Sequence, residues 1–146
     1  MARRANVFFH KLDDVKPENI LSIILDKHRG KAVVMDIWAT WCGPCKAGHK
    51  RMVPLKKELE GQDVVFIYVT GPTSPAETWQ EMLGNITGEH YYLTREQYSH
   101  ILEKYESDGI PTYLVFDRDG QLTFKNIGMV DNGKIKEEIE KAMEWN

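Results

Sequence analysis

Two cysteines stand in the segment Trp41-Cys42-Gly43-Pro44-Cys45, and they are the only cysteines in the chain. The segment follows the apolar run 32–38, at a point where a buried strand gives way to a helix. Open backbone N–H groups and the positive end of a helix dipole favour a thiolate at such a point. The second cysteine can then close a small disulfide ring with the first. The spacing therefore predicts a redox pair rather than a structural crosslink.

A zinc site is the alternative use of these cysteines, because His49 follows Cys45 by about one helical turn. Structural zinc sites are usually tetrahedral with four protein ligands, and the chain has no second cysteine pair. We therefore expect no metal, and no cofactor other than a redox-active disulfide between Cys42 and Cys45.

Length and composition are those of one soluble globular domain. The chain has 146 residues, of which 42% are hydrophobic and 28% charged, and its net charge is −3. No basic stripe with interleaved aromatic residues indicates nucleic-acid binding. The longest apolar runs, such as 64–69, are too short to cross a bilayer, and the basic N-terminus lacks the apolar segment of a signal peptide.

Hydrophobic periodicity and turn residues predict the elements that position the cysteines. The predicted elements are a helix over 17–28, a strand over 32–38, a helix from 42 or 43 to 59, a strand over 64–69, a helix over 74–83, a weak strand over 88–93, a helix over 94–106, a hairpin of strands 112–116 and 122–127, and a helix over 134–145. Ser74 and Thr94 are expected to cap their helices through capping boxes. Two βα units followed by an antiparallel hairpin predict a mixed sheet with helices on both faces.

The segment 36–46, together with Ile110-Pro111-Thr112, resembles the thioredoxin superfamily. It is most similar to the TlpA/ResA-type extracytoplasmic thiol-disulfide oxidoreductases, and the likeness runs from about Gly30 to the C-terminus. The resemblance implies an α/β, thioredoxin-like three-layer fold in a single domain over 1–146. In that fold, 1–29 would be an N-terminal extension and helix, and 70–109 a helical insert of the TlpA/ResA type.

The same resemblance implies three catalytic residues. Cys42 would be the more exposed, attacking thiolate, and Cys45 the shielded, resolving thiol. Asp36 occupies the place of the family's buried acid, where desolvation favours the protonated carboxyl, so that it could accept the proton of Cys45. A carboxylate exposed at the strand edge is the other interpretation. The second strand lacks the lysine that thioredoxin proper pairs with its acid, so proton coupling is expected to run through water alone.

A substrate-binding surface follows from the same comparison. Pro111 matches the family's cis-proline, which would bring the backbone of Ile110 beside the cysteines to pair with an extended substrate strand; an ordinary trans proline at a strand start is the alternative. Gly43 and Pro44 lie between the cysteines, and Trp41 is expected on the surface as a partner contact.

Other side chains near the motif carry weaker signals. Trp38 is expected to pack beside the site. His49 is expected on a solvated helix face, although a place near the redox pair is open. The remaining histidines are expected to be at the surface or partly packed: His10, His28, His90 and His100.

The sequence thus predicts a protein-disulfide reductase that acts on protein disulfide or dithiol substrates and is recharged by an upstream thiol reductant. Gly43 and Pro44 between the cysteines favour a reducing couple. An oxidase or isomerase with the same site is the alternative; a peroxidase or a binding module without catalysis fits less well. We expect a monomer with no transmembrane segment in this chain. The family resemblance favours an extracytoplasmic location, and the lack of a signal peptide favours the cytoplasm.

Overall fold

Residues 6–145 are described by a computed structural model, and they form six strands and five helices. In chain order the elements are β1 (Val7–His10), α1 (Pro17–Asp26), β2 (Ala32–Ile37), α2 (Gly43–Glu58), β3 (Val64–Thr70), α3 (Ala76–Leu83), β4 (Gly88–Tyr92), α4 (Arg95–Lys104), β5 (Thr112–Phe116), β6 (Leu122–Ile127) and α5 (Asn132–Met143).

The strands form one mixed sheet in the order β1-β4-β3-β2-β5-β6. β2 runs parallel to β3 and antiparallel to β5, and its last residue, Ile37, pairs with Val69 on one side and Thr112 on the other. The cysteine loop that follows β2 and the Ile110-Pro111 segment that precedes β5 therefore lie at the same end of the sheet. The predicted mixed sheet is confirmed.

Helices cover both faces of the sheet, as the sequence predicts. β2 is buried on both sides. Its residues Val33, Met35 and Ile37 face a core shared with α1 and α4, whereas Ala32 and Val34 face a core shared with α2 and α5. Because side chains alternate between the two faces of the sheet along β2, α2 and the site at its start lie on the face towards which Ala32 and Val34 point.

Two strands lie in segments described above mainly as helical; β4 matches the weak strand predicted over 88–93, whereas β1 was not predicted. β1 lies within 1–29 and pairs in parallel with β4, which itself lies within 70–109. β4 also pairs with β3, so both strands extend the central sheet. β1 has only four residues and a single fully buried side chain, Val7, which leaves little alternation for a sequence pattern to detect.

Arg118 joins several segments at the end of the sheet opposite to the cysteines. Its guanidinium donates hydrogen bonds to the carbonyl oxygens of Gly30 and Met143 and to a carboxylate oxygen of Asp63. It also lies over the ring of Trp145, 4.0 Å from the ring centroid. The starts of β2 and β3 and the end of α5 thus meet at one side chain.

Candidate functional site

The two cysteines form a disulfide at the N-terminus of α2. Cys42 is the N-cap residue, and its Sγ accepts a hydrogen bond from the backbone N–H of Cys45 at 3.2 Å. Cys42 is 4% exposed and Cys45 is fully buried, so the difference in exposure between them is small. The hydrogen bond and the helix dipole both favour negative charge on the sulfur of Cys42 after reduction.

The segment before β5 lies against the outer sulfur. The carbonyl oxygen of Ile110 is 3.8 Å from Sγ of Cys42, and the peptide bond between Ile110 and Pro111 is cis. Pro111 is buried, and its carbonyl oxygen accepts a hydrogen bond from the backbone N–H of Gly128 at 2.7 Å. A backbone acceptor is therefore held next to the sulfur that is predicted to react.

A chain of buried hydroxyls anchors the loop that carries the cysteines. Ser74 accepts a hydrogen bond from the backbone N–H of Thr40 at 2.9 Å, and its hydroxyl is 2.7 Å from that of Thr70. Thr70 in turn donates to the carbonyl oxygen of Trp38 at 2.8 Å. Ser74 must then donate to Thr70, since the hydroxyl proton of Thr70 is already used.

The prediction that Ser74 caps a helix is wrong. α3 begins at Ala76, its N-cap is Pro75, and none of the side chains in residues 6–145 caps it. The buried hydroxyl of Ser74 serves the loop instead. The second capping box is confirmed, because Thr94 accepts from the backbone N–H of Gln97, whose side chain accepts from the backbone N–H of Thr94.

Three of the predicted substrate-binding residues are exposed beside Cys42. Trp41 is 63% exposed, and its indole N–H donates to the hydroxyl of Thr73 at 3.1 Å. Gly43 and Pro44 are also exposed, and the space around the Cα of Gly43 is open. These residues form a surface, hereafter the cysteine face, from which another protein could reach the disulfide.

Asp36 is buried, and its partner is a residue for which a solvated position was predicted. The carboxyl is 3% exposed, and its Oδ2 lies 3.3 Å from Nε2 of His49, a distance suited to an ion pair but without the alignment of a hydrogen bond. Oδ1 has no hydrogen-bond partner among the described residues. The expectation of a solvated His49 is therefore wrong, because α2 turns this side chain towards β2.

Two aromatic rings contact the imidazole of His49. Trp38 is fully buried, and its ring meets the imidazole edge to face at 4.7 Å between centroids. Tyr68 meets the imidazole in the same way at 5.4 Å. Trp38 therefore packs beside the site, as the sequence predicts.

A cation reaches the same region from α2 rather than from β3. Nζ of Lys56 donates to the hydroxyl of Tyr68 at 2.7 Å and to the carbonyl oxygen of Thr87 at 2.5 Å. Burial lowers the pKa of Lys56 to about 8, although the charge of Asp36 opposes the shift. Burial, and then the charge of Asp36, raise the pKa of Tyr68 well above its usual value.

The sequence does contain a signal for the burial of His49. His49 follows Cys45 by four residues, so both side chains lie on the same face of α2. A helix that shields Cys45 against the sheet must shield His49 too. His90 is a second buried histidine that was predicted near the surface; it is fully buried and stacks on Tyr68 at 4.9 Å.

Within residues 6–145, no group of three or more histidine, cysteine or acidic side chains is placed to hold a metal ion. None of the helices in that part of the chain is both long and apolar enough to cross a membrane.

Comparison with known proteins identifies relatives over most of the chain. A family model described as a thioredoxin-like domain matches residues 22–143. The chain is 28% identical over 126 residues to a thiol-disulfide oxidoreductase ResA from Geobacillus kaustophilus, a match that covers 82% of this chain and 66% of that protein. It is 26% identical over 114 residues to thioredoxin Y2, chloroplastic, from Arabidopsis thaliana, with coverage of 78% and 53%. The chain thus spans less than two thirds of the length of these two curated relatives.

Solved structures share the fold. The exposed lipoprotein thioredoxin of Streptococcus pneumoniae superposes with a TM-score of 0.66 at 25% identity, over 80% of this chain and 89% of that one. The arrangement of strands and helices around the disulfide is therefore one that other proteins also adopt.

Proposed function

We propose that this chain, which belongs to the thioredoxin-like domain family, is a thiol-disulfide oxidoreductase that reduces protein disulfides. One observation carries the proposal: Cys42 and Cys45 form a disulfide in which the outer sulfur also caps α2. A disulfide at a helix N-terminus is easily poised for exchange, because its leaving sulfur is stabilised as a thiolate.

The proposed cycle has two exchange steps. In the dithiol form, the thiolate of Cys42 attacks a substrate disulfide, which forms a mixed disulfide and expels one substrate thiolate. Cys45 then loses its proton to the carboxylate of Asp36 and attacks Sγ of Cys42. This step breaks the bond to the substrate, forms the Cys42–Cys45 bond and releases the second substrate thiolate. Two electrons pass to the substrate, and an external dithiol restores the pair.

The cysteine face supplies the proposed substrate site. Trp41, Gly43 and Pro44 would contact the partner protein, and the backbone of Ile110, held by Pro111, would pair with an extended substrate segment. The exposure of Trp41 and the position of the Ile110 carbonyl near Cys42 support this assignment. Hydrogen bonds between backbones do not depend on the side chains of the substrate, so this site suits substrates of varied sequence.

Covalent trapping tests the proposal. A Cys45→Ser variant should accumulate mixed disulfides through Cys42, because it attacks but cannot resolve. With insulin as the test substrate, a species that dithiothreitol releases should appear on non-reducing gels. The matched Cys42→Ser variant retains one cysteine and should trap far less. Equal trapping by both variants, or by neither, would contradict the proposed order of attack.

The direction of the reaction is tested by the reduction potential. Oxidase or isomerase chemistry is the alternative function of the same site. Equilibration with glutathione should place the Cys42–Cys45 couple near the thioredoxin value of about −270 mV if the protein is a reductase. A potential well above about −180 mV would favour the oxidase or isomerase.

We further propose that residues 1–146 act as a single monomeric domain with protein partners only and no cofactor beyond the disulfide. The proposed location is extracytoplasmic. The name of the pneumococcal relative, an exposed lipoprotein, supports this location, whereas the Arabidopsis relative is named as chloroplastic. Fractionation of cells that produce the native gene product, followed by immunodetection, tests the compartment.

A further inference from the structure

A cavity of about 480 Å³ opens beside α2, on a side where neither cysteine lies. α2 lines it with His49, Val53 and Lys56, and the opposite wall comes from the start of β3 and from residues 85–89. Exposed residues such as Gln62 and Asn85 lie at its rim. The cavity therefore gives water a route towards the interior that does not pass through the cysteine face.

His49 connects this cavity to the buried acid. His49 is one of the residues that line the cavity, and its Nε2 lies 3.3 Å from Oδ2 of Asp36. Neither this nitrogen nor Oδ1 of Asp36 has a hydrogen bond within the described residues. Unpaired buried polar atoms are rare and call for an explanation, and a proton that moves between the two groups supplies one.

The chemistry of resolution creates a need for such a route. Cys45 loses its proton only after a partner protein is joined to Cys42. At that moment the proposed partner would cover Trp41 and Pro44, which are exposed beside the disulfide. A proton received by Asp36 then has no direct way to bulk water through the cysteine face.

We propose that His49 acts through Asp36 as a positioning residue that carries the proton from the carboxyl to water in the cavity during resolution. The inference rests on the proposed function. Asp36 takes the proton from the thiol of Cys45 and passes it to Nε2 of His49, and the imidazolium then loses a proton to cavity water. The proton moves in the opposite direction when the disulfide is reduced.

Other titratable groups face His49 and must be considered in any pH profile. Lys56 comes from α2 itself, Tyr68 from β3 and His90 from β4, and each interacts electrostatically with His49 or Asp36. Tyr113 on β5 and Tyr98 on α4 also sense the charge of Asp36. The variants below leave all five of these groups in place. A difference between the pH profiles of wild type and His49→Gln is therefore due to the loss of the imidazole.

Single-turnover kinetics with a protein substrate separate the two exchange steps; the substrate is a one-cysteine protein whose thiol is capped by the coloured thiolate of Ellman's reagent. Attack by Cys42 should expel the coloured thiolate and join the substrate protein to Cys42. Resolution by Cys45 should then release the substrate thiol, which the loss of the mixed disulfide on acid-quenched, non-reducing gels follows. His49→Gln should slow the second phase about tenfold or more at neutral pH, while the first phase stays within about twofold. The wild-type second-phase rate should vary with pH, and the variant's rate should vary less, because it lacks the imidazole.

Two comparisons distinguish a proton route from a structural effect. Asp36→Asn should also slow the second phase, and adding His49→Gln to it should cause no further loss, because the relay already lacks its first acceptor. His100→Gln, a partly exposed histidine on α4, is the matched control and should leave both phases unchanged. A uniform slowing at every pH by His49→Gln, or additive losses in the double variant, would overturn the proposal.

A measurement on the wild-type protein avoids any folding defect of the variants. In heavy water the second-phase rate should fall more than the first-phase rate, because only resolution requires proton transfer from Cys45; equal solvent isotope effects on the two phases would overturn the relay. Absence of the first phase in the wild-type protein would contradict the proposed function itself. A normal first phase with a His49-independent second phase would contradict only the further inference.

Discussion

The hydroxyl of Tyr113 occupies the space that a side chain at position 48 would need. Gly48 is buried, and it lies on the same sheet-facing side of α2 as Cys45 and His49. Tyr113 lies on β5 directly opposite Asp36 of β2. The absence of a side chain at Gly48 thus lets α2 lie close to the sheet at the level of the buried acid.

Gly48→Ala should destabilise the protein by about 1–3 kcal/mol through overpacking against Tyr113. This loss of stability is expected despite the higher helix propensity of alanine, which alone would stabilise α2 by about 1 kcal/mol. Removal of the hydroxyl in Tyr113→Phe should recover most of the loss in the double variant, because the next ring atom is at an ordinary contact distance of 3.7 Å. Urea denaturation of the four proteins measures the coupling, and additive effects would contradict the packing explanation.

Ser74→Ala should lower the free energy of unfolding by about 1–3 kcal/mol. It leaves the buried N–H of Thr40 and the hydroxyl of Thr70 without their partner. The matched variant is Ser22→Ala, where an exposed hydroxyl bonds to the carbonyl oxygen of Asn19. Similar losses in the two variants would show that the buried hydroxyl chain does not hold the cysteine loop.

The acid side of the stability profile should depend on His90. Burial lowers the pKa of this histidine from 6.5 to about 4, although its hydrogen bond to the carbonyl oxygen of Ile86 opposes the shift. Between these values the unfolded chain binds more protons than the folded one, so stability is lost as the pH falls from about 6.5 to 4. The contribution of His90 to this loss should be about 2–3 kcal/mol.

Urea titrations at several pH values between 7 and 4 measure this loss. His90→Gln retains a donor for Ile86 but cannot titrate, so its stability should change less over the same range. His100→Gln should keep the wild-type slope. His28, whose pKa burial also lowers, stays in all three proteins and contributes equally to each. An unchanged slope in His90→Gln would contradict the prediction.

Lys56 should affect stability on the alkaline side. Its pKa is about 8 in the folded protein and 10.5 for the free side chain, because burial disfavours the charged form. The unfolded chain therefore binds more protons above pH 8, and the penalty for burying the charge falls as the pH rises. Relative to Lys56→Met, the wild-type protein should gain about 1–2 kcal/mol between pH 7.5 and 9.5.

The comparison with Lys56→Met cancels the tyrosines, whose raised pKa values destabilise the folded state at higher pH in both proteins. Lys57→Met, which removes an exposed neighbour, should show no change in its difference from wild type over this range. Chemical denaturation at the two pH values provides both measurements. A constant difference for Lys56→Met would mean that Lys56 is not buried as a cation.

The sequence was most informative where a pattern extends over many residues or is repeated in a motif. The buried run of β2 and the redox motif behind it predict the strand, the helix start and the place of the disulfide. The resemblance of Ile110-Pro111-Thr112 to the family motif predicts the segment that contacts Cys42. This motif can be recognised in the sequence because its three residues are consecutive. The helices on both faces follow from ordinary periodicity.

Single residues whose role depends on distant neighbours were not predictable in the same way. The burial of His49 depends on how closely α2 approaches β2, and that distance is set by the neighbouring Gly48 together with Tyr113 from a distant part of the sequence. Ser74 fits a capping box locally, yet its hydroxyl is used by Thr40 and Thr70. Local patterns carry no information on which of two possible partners a side chain will find.

The cluster around Arg118 has a consequence for how the molecule opens. The guanidinium of Arg118 joins the starts of β2 and β3 to the end of α5. Local unfolding from that end of the sheet therefore requires several hydrogen bonds to break together. Hydrogen exchange should therefore be slow there, and partial opening should begin at the opposite pole. The disulfide would then lie at the end of the molecule that opens first. A large partner protein could bind there without unfolding the rest of the domain.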